Sequence, residues 1–136
     1  MPKFQALLLL VLACLCSTAS AERWQVRVDN DRLKTRLDLD GFKRDGDLLT
    51  YRMEMTYKEP PIYVGRRAIS TSVIDCRTSM RKHVSTETHF PDGTVRKTDG
   101  ANRWIKLRDG DFGAGVRNEH CGKVKADITA PKNPSP

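Results

Sequence analysis

The chain has 136 residues, with 24 Lys and Arg against 17 Asp and Glu and a formal net charge of +7. Once a leader is set aside, that length suits one domain with a modest core. The two charge signs are interspersed, which favours acidic surfaces in general. There is no basic run interleaved with aromatics, as a nucleic-acid module would need. Beyond residue 21 no apolar run is long enough to span a bilayer, so the mature chain is expected to be soluble.

Residues 1–21 read as a signal peptide. Lys3 supplies the positive start, Leu7 to Leu15 the apolar run, and Ala19-Ser20-Ala21 the small-residue cleavage site. Val11-Leu12-Ala13-Cys14 loosely resembles a lipobox, giving a lipid anchor at Cys14 as a minor alternative; Leu12 is an unusual residue there.

Trp24, Val26 and Val28 alternate with polar residues, and Asp29-Asn30-Asp31 reads as a turn. From Arg32 to Asp40 the alternation is strict, with Leu33, Thr35, Leu37 and Leu39 on one face and charges on the other. Leu49, Tyr51, Met53, Met55 and Tyr57 repeat the pattern. The stretch between, Asp38 to Asp47, is dense in Asp and Gly and raises the question of a calcium loop. In EF-hand register from Asp38, the fifth, sixth and twelfth positions are Phe42, Lys43 and Leu49, so ligands and glycine are missing. Turn chemistry explains the stretch better, through left-handed glycines and Asx bonding, with Phe42 tucking over the sheet edge. Weak calcium binding by this loop stays open.

Pro60-Pro61 begins an irregular connection through Arg67. From Ile74 to Phe90 even positions are mostly apolar or Thr and odd ones polar, too long for one flat strand, which predicts a bend or break near Ser79 to Lys82. Pro91-Asp92-Gly93-Thr94 is a turn, followed by strands over Val95 to Thr98 and Trp104 to Leu107. Asp109-Gly110-Asp111 caps a helix over Phe112 to Glu119, weakened by Gly113 and Gly115. Residues 123–136 read as a flexible tail.

After cleavage two cysteines remain, Cys76 and Cys121, in a compartment that permits disulfides. Their bond would close a loop of about 46 residues, worth about 4 kcal/mol in the chain-entropy model. The alternatives are catalytic thiols or metal ligands, but there is no C-x-x-C spacing and no further ligand nearby.

The order of these marks is informative: Trp24, Asp38 followed by GFKRDGD, Asp75-Cys76 closing a strand, then Trp104 and Cys121. It resembles the surface-adhesin protein E-like family of small exported bacterial proteins, over nearly all of residues 22–121. Two departures are visible: Leu107 stands where the family tends to have isoleucine, and Asp109-Gly110 where a Pro-Gly turn is usual. The resemblance implies a mainly antiparallel sheet with a C-terminal helix, paired cysteines and no cofactor. In adhesive members it implies attachment to host matrix or serum proteins.

The expected architecture is α+β, mainly β: a curved antiparallel sheet of about six strands with a short C-terminal helix, stapled by one disulfide, over residues 22–122. The expected function is that of a non-enzymatic binding protein at the cell surface or in the periplasm. Its contact face would carry Arg77, Arg81 and His83 on the odd-numbered side, bordered by Arg66, Arg67 and Lys82. Such a face would suit an acidic protein or a sulfated glycan. The bland alternative is an ordinary wet face neutralised by Asp75 and Glu87. A secreted nuclease using His83, His89 or His120 fits poorly, because His83 and His89 would stand about 20 Å apart on a straight strand. A third class is assembly, as a periplasmic accessory or as a homodimer through a sheet edge.

Overall fold

The computed structural model describes residues 22–59 and 66–122. The expected signal peptide, the connection over 60–65 and the expected tail lie outside the described residues. The elements are β1 (Trp24–Asp29), β2 (Leu33–Asp38), β3 (Lys43–Asp45), β4 (Leu48–Tyr57), β5 (Arg67–Asp75), β6 (Met80–His89), β7 (Val95–Asp99), β8 (Ile105–Lys106) and α1 (Phe112–His120). The strands form one 8-stranded antiparallel sheet in the order β1-β2-β4-β5-β6-β7. β3 joins the edge of β4 that β2 also uses, and β8 joins the edge of β6 that β7 uses. A mainly β chain with one short C-terminal helix and a disulfide is therefore what the sequence folds into.

Local side-chain chemistry makes the turns. Asn30 Oδ1 accepts the N–H groups of Arg32 and Leu33, at 3.0 and 2.9 Å, and so turns β1 into β2. Asp38 Oδ1 accepts those of Asp40 and Gly41, and Asp75 Oδ1 those of Arg77 and Thr78. Gly46, with φ of 55°, turns β3 into β4, and Asp92 binds the N–H and hydroxyl of Thr94 between β6 and β7. The Asp/Gly stretch is thus turn chemistry, as its composition suggested, with the short β3 inserted in it.

The core lies between α1 and one face of the sheet. It comprises Leu37, Leu49, Tyr51, Ile74, Cys76, Leu107, Val116 and Cys121, all buried. Phe42 packs against this cluster and stacks on His120, with ring centroids 4.1 Å apart. Cys76 and Cys121 are bonded, with Cα atoms 5.5 Å apart, so the end of α1 is tied to the β5–β6 turn.

Several expectations need correction. The segment read as irregular through Arg67 enters β5, which begins at Arg67, and the break expected near Ser79 to Lys82 is a hairpin turn a few residues earlier, at 76–79. Asp75 is the physical reason, since its carboxylate draws two backbone N–H groups into that turn. β6 also carries a bulge: His83 pairs with Ser72 and Ser85 with Thr71, leaving Val84 over. Parity therefore inverts at Val84, and odd residues before it share a face with even residues after it. A bulge in β1 acts likewise at Arg27, whose guanidinium reaches Glu119 of α1 at 2.6 and 2.7 Å.

Candidate functional site

Directly paired residues on adjacent strands share a face, so the sides of the sheet can be traced row by row. One row runs Leu49, Ile74, Arg81, Ile105, and the next Tyr51, Ser72, His83. Leu49, Tyr51 and Ile74 belong to the core under α1, so Arg81 and His83 lie on the helix side. Gly113 allows this. A Cβ there would stand 2.8 Å from Leu107 Cδ2, 3.1 Å from Arg81 Cδ and 3.4 Å from the Tyr51 hydroxyl. The first turn of α1 can settle over Arg81 and Tyr51 only because the side chain is missing.

Where α1 begins, a cleft of about 590 Å³ opens between that turn, β4 and β8. Tyr51, Met53, Arg81, Ile105 and Phe112 line it together with Arg103, Lys106, Arg108 and Asp111. Burial pushes the Tyr51 hydroxyl above its ordinary value, against the charge of Arg81 and hydrogen bonds with Ser72 and Arg81. His83, whose ring nitrogen lies 2.8 Å from the Thr86 hydroxyl, is held below the usual imidazole range by burial and then by Arg81.

The electrostatics of the two faces differ. On the open face Glu54, 1% exposed, takes hydrogen bonds from both Arg36 and Arg67. Arg52 binds the equally buried Asp38 at 3.0 Å, and the ring of Trp24 lies 5.5 and 5.7 Å from the guanidiniums of Arg36 and Arg52. In the cleft the reverse holds: among the described residues, no carboxylate forms an ion pair with Arg81, Arg103, Lys106 or Arg108. Asp111 turns one oxygen to the backbone N–H of Arg108 instead, at 2.9 Å, and makes no side-chain bond to the helix it precedes.

The expected contact face is dispersed. Arg77 is in the β5–β6 turn, its Nε 3.4 Å from Asp47, and shares no strand with Arg81. Arg67 is on the open face bound to Glu54, and Arg66 is exposed just before β5. Lys82 is also on the open face, where it pairs with Val73 and lies 5.1 Å from the Trp104 ring. Only Arg81 and His83 stay together, and of these only Arg81 lines the cleft. The turn and the bulge, neither visible in period-two spacing, account for the scatter. The cleft residues Tyr51, Arg103, Lys106 and Arg108 were missed, although RWIKLR, residues 103–108, holds three cations and no acid. That imbalance was the available signal.

Of the histidines, His89 pairs with Glu87 at 2.8 Å on the open face, opposite to that of His83, and His120 stacks on Phe42. Among the described residues no group of His, Cys, Asp and Glu could hold a metal ion, and no helix is long and apolar enough to cross a membrane. Comparison with protein-family models, with curated proteins and with solved structures returns no match.

Proposed function

We propose that the chain is an exported, non-enzymatic binding protein of the bacterial envelope, acting in the periplasm or at the outer surface, that grips an acidic protein or a sulfated glycan in the cleft at the start of α1. The observation that carries this reading is the excess of cations in a concave site: Arg81, Arg103, Lys106 and Arg108 line it with one carboxylate, Asp111, and among the described residues none of the four is ion-paired. Gathering like charges destabilises a fold through repulsion, and a ligand anion relieves it. The same chain matches its open-face arginines to carboxylates, so the imbalance is local. Export draws support from the leader pattern of residues 1–21 and from a disulfide, which persists in oxidising compartments. The adhesive role rests on the resemblance to surface-adhesin E-like proteins.

The test uses Arg103 and Arg108, both exposed at the rim. In the double variant Arg103→Ala, Arg108→Ala, affinity for heparin or an immobilised acidic protein should fall about tenfold, since exposed pairs contribute roughly 0.7 kcal/mol each. Retention unchanged from the parent would remove the cleft from the binding surface.

A further inference from the structure

We infer that the ligand of this cleft is an acidic peptide segment with an apolar side chain beside its carboxylate, the carboxylate seated on Arg81 and Tyr51 and the apolar group against Ile105 and Phe112. The inference rests on the anion-binding reading above and names the class of partner.

The cations stand at two depths. Arg81 is half-buried beside Tyr51, which is 2% exposed, while Arg103, Lys106 and Arg108 are exposed. One anionic group can go deep and its neighbours must stay outside. At the floor, the planar fork of a guanidinium matches a carboxylate through paired N–H bonds, and the phenol adds a further donor. The walls narrow the choice. Met53, Ile105 and Phe112 give the cleft an apolar side, and Ile105 is 43% exposed despite its β-branched, water-averse side chain. Covering such surface stabilises a complex by about 25 cal/mol per Å². A sulfated glycan would set hydroxyls and sulfates against those carbons, and its regularly spaced anions call for a flat row of cations. A peptide that alternates acidic and apolar side chains offers one carboxylate to the floor, a hydrocarbon group to the wall and further carboxylates to the rim.

Calorimetry on the oxidised chain tests this with two probes: a synthetic octapeptide alternating Glu with Leu and Phe, and a heparin hexasaccharide. The peptide should bind, and its Gln counterpart should bind at least about tenfold more weakly, as expected when a half-buried cation loses its charged partner. Arg81→Lys, which keeps charge and loses the fork, should weaken the peptide about tenfold. Ile105→Ser, at an exposed position that does not endanger the fold, should weaken the peptide about fivefold and leave the hexasaccharide unchanged. Equal affinity for the Glu and Gln peptides would overturn the inference. So would a hexasaccharide that binds more tightly than the peptide, an outcome that leaves anion binding itself standing. Failure of both probes would bring down both readings.

Discussion

Asp38 and Asp75, at the ends of β2 and β5, are both nearly inaccessible, and each uses one carboxylate oxygen to collect two backbone N–H groups from the turn that follows. A buried carboxylate with such donors costs little, because each N–H it accepts would otherwise need a partner of its own. Glu54 is the contrasting case, a carboxylate in mid-strand held only by side chains. Burial by itself would raise its pKa, but hydrogen bonds and charge from Arg36 and Arg67 outweigh burial and hold it below the ordinary 4.5. A depressed carboxylate stabilises the fold fully above its unfolded value, and that contribution is lost as pH falls through the lower, folded value. Glu54→Gln should therefore cost about 2 kcal/mol at neutral pH. In urea titrations from pH 7 into acid, the gap between parent and variant should close below the ordinary carboxylate range. A gap independent of pH would mean that packing, not charge, holds Glu54.

At the scale of the element, α1 shows that its glycines are not equivalent. Gly113 meets Leu107, Arg81 and Tyr51, whereas a Cβ on Gly115 would meet nothing within 4 Å. Gly113→Ala should destabilise the protein by about 1–3 kcal/mol through overpacking, and Gly115→Ala should stabilise it by about 0.5–1 kcal/mol through helix propensity. Thermal melts of the two variants should move in opposite directions. From sequence, both glycines read only as helix weakeners, because propensity is local and the neighbours of Gly113, namely Leu107, Arg81 and Tyr51, come from other parts of the chain. The same limit decided which strands were legible. β2 and β4 alternate cleanly because one face of each meets the core, and the Asp/Gly, Asn30 and Pro91–Thr94 turns declare themselves by composition. β5 has Ser70 and Ser72 on the core-facing row and Ile69 and Val73 on the other, so its pattern is mixed and it went unrecognised. The bulge at Val84 then exchanged the faces of β6, and the turn at 76–79 removed Arg77 from them. Sheet and helix were legible; the site was not, because it depends on where strands turn and slip.

For the molecule as a whole, the Cys76–Cys121 bond joins the two ends of a long segment that contains β6, β7, β8 and α1. Replacing both cysteines with Ala should lower unfolding free energy by about 4 kcal/mol, the loop-closure entropy returned to the unfolded chain, and urea denaturation would measure it. A loss under about 1 kcal/mol would mean that the unfolded chain is already compact there. The bond also has a positional effect. It holds the last turn of α1, while the first turn forms one wall of the cleft, so a single short rod carries a covalent anchor at one end and a wall of the cleft at the other. A molecule with both thiols reduced would keep its ladder of strands but hold that wall loosely. Under the function proposed above, capture of a partner becomes a property acquired when the bond forms, and a copy kept among reducing thiols would hold its cleft unformed.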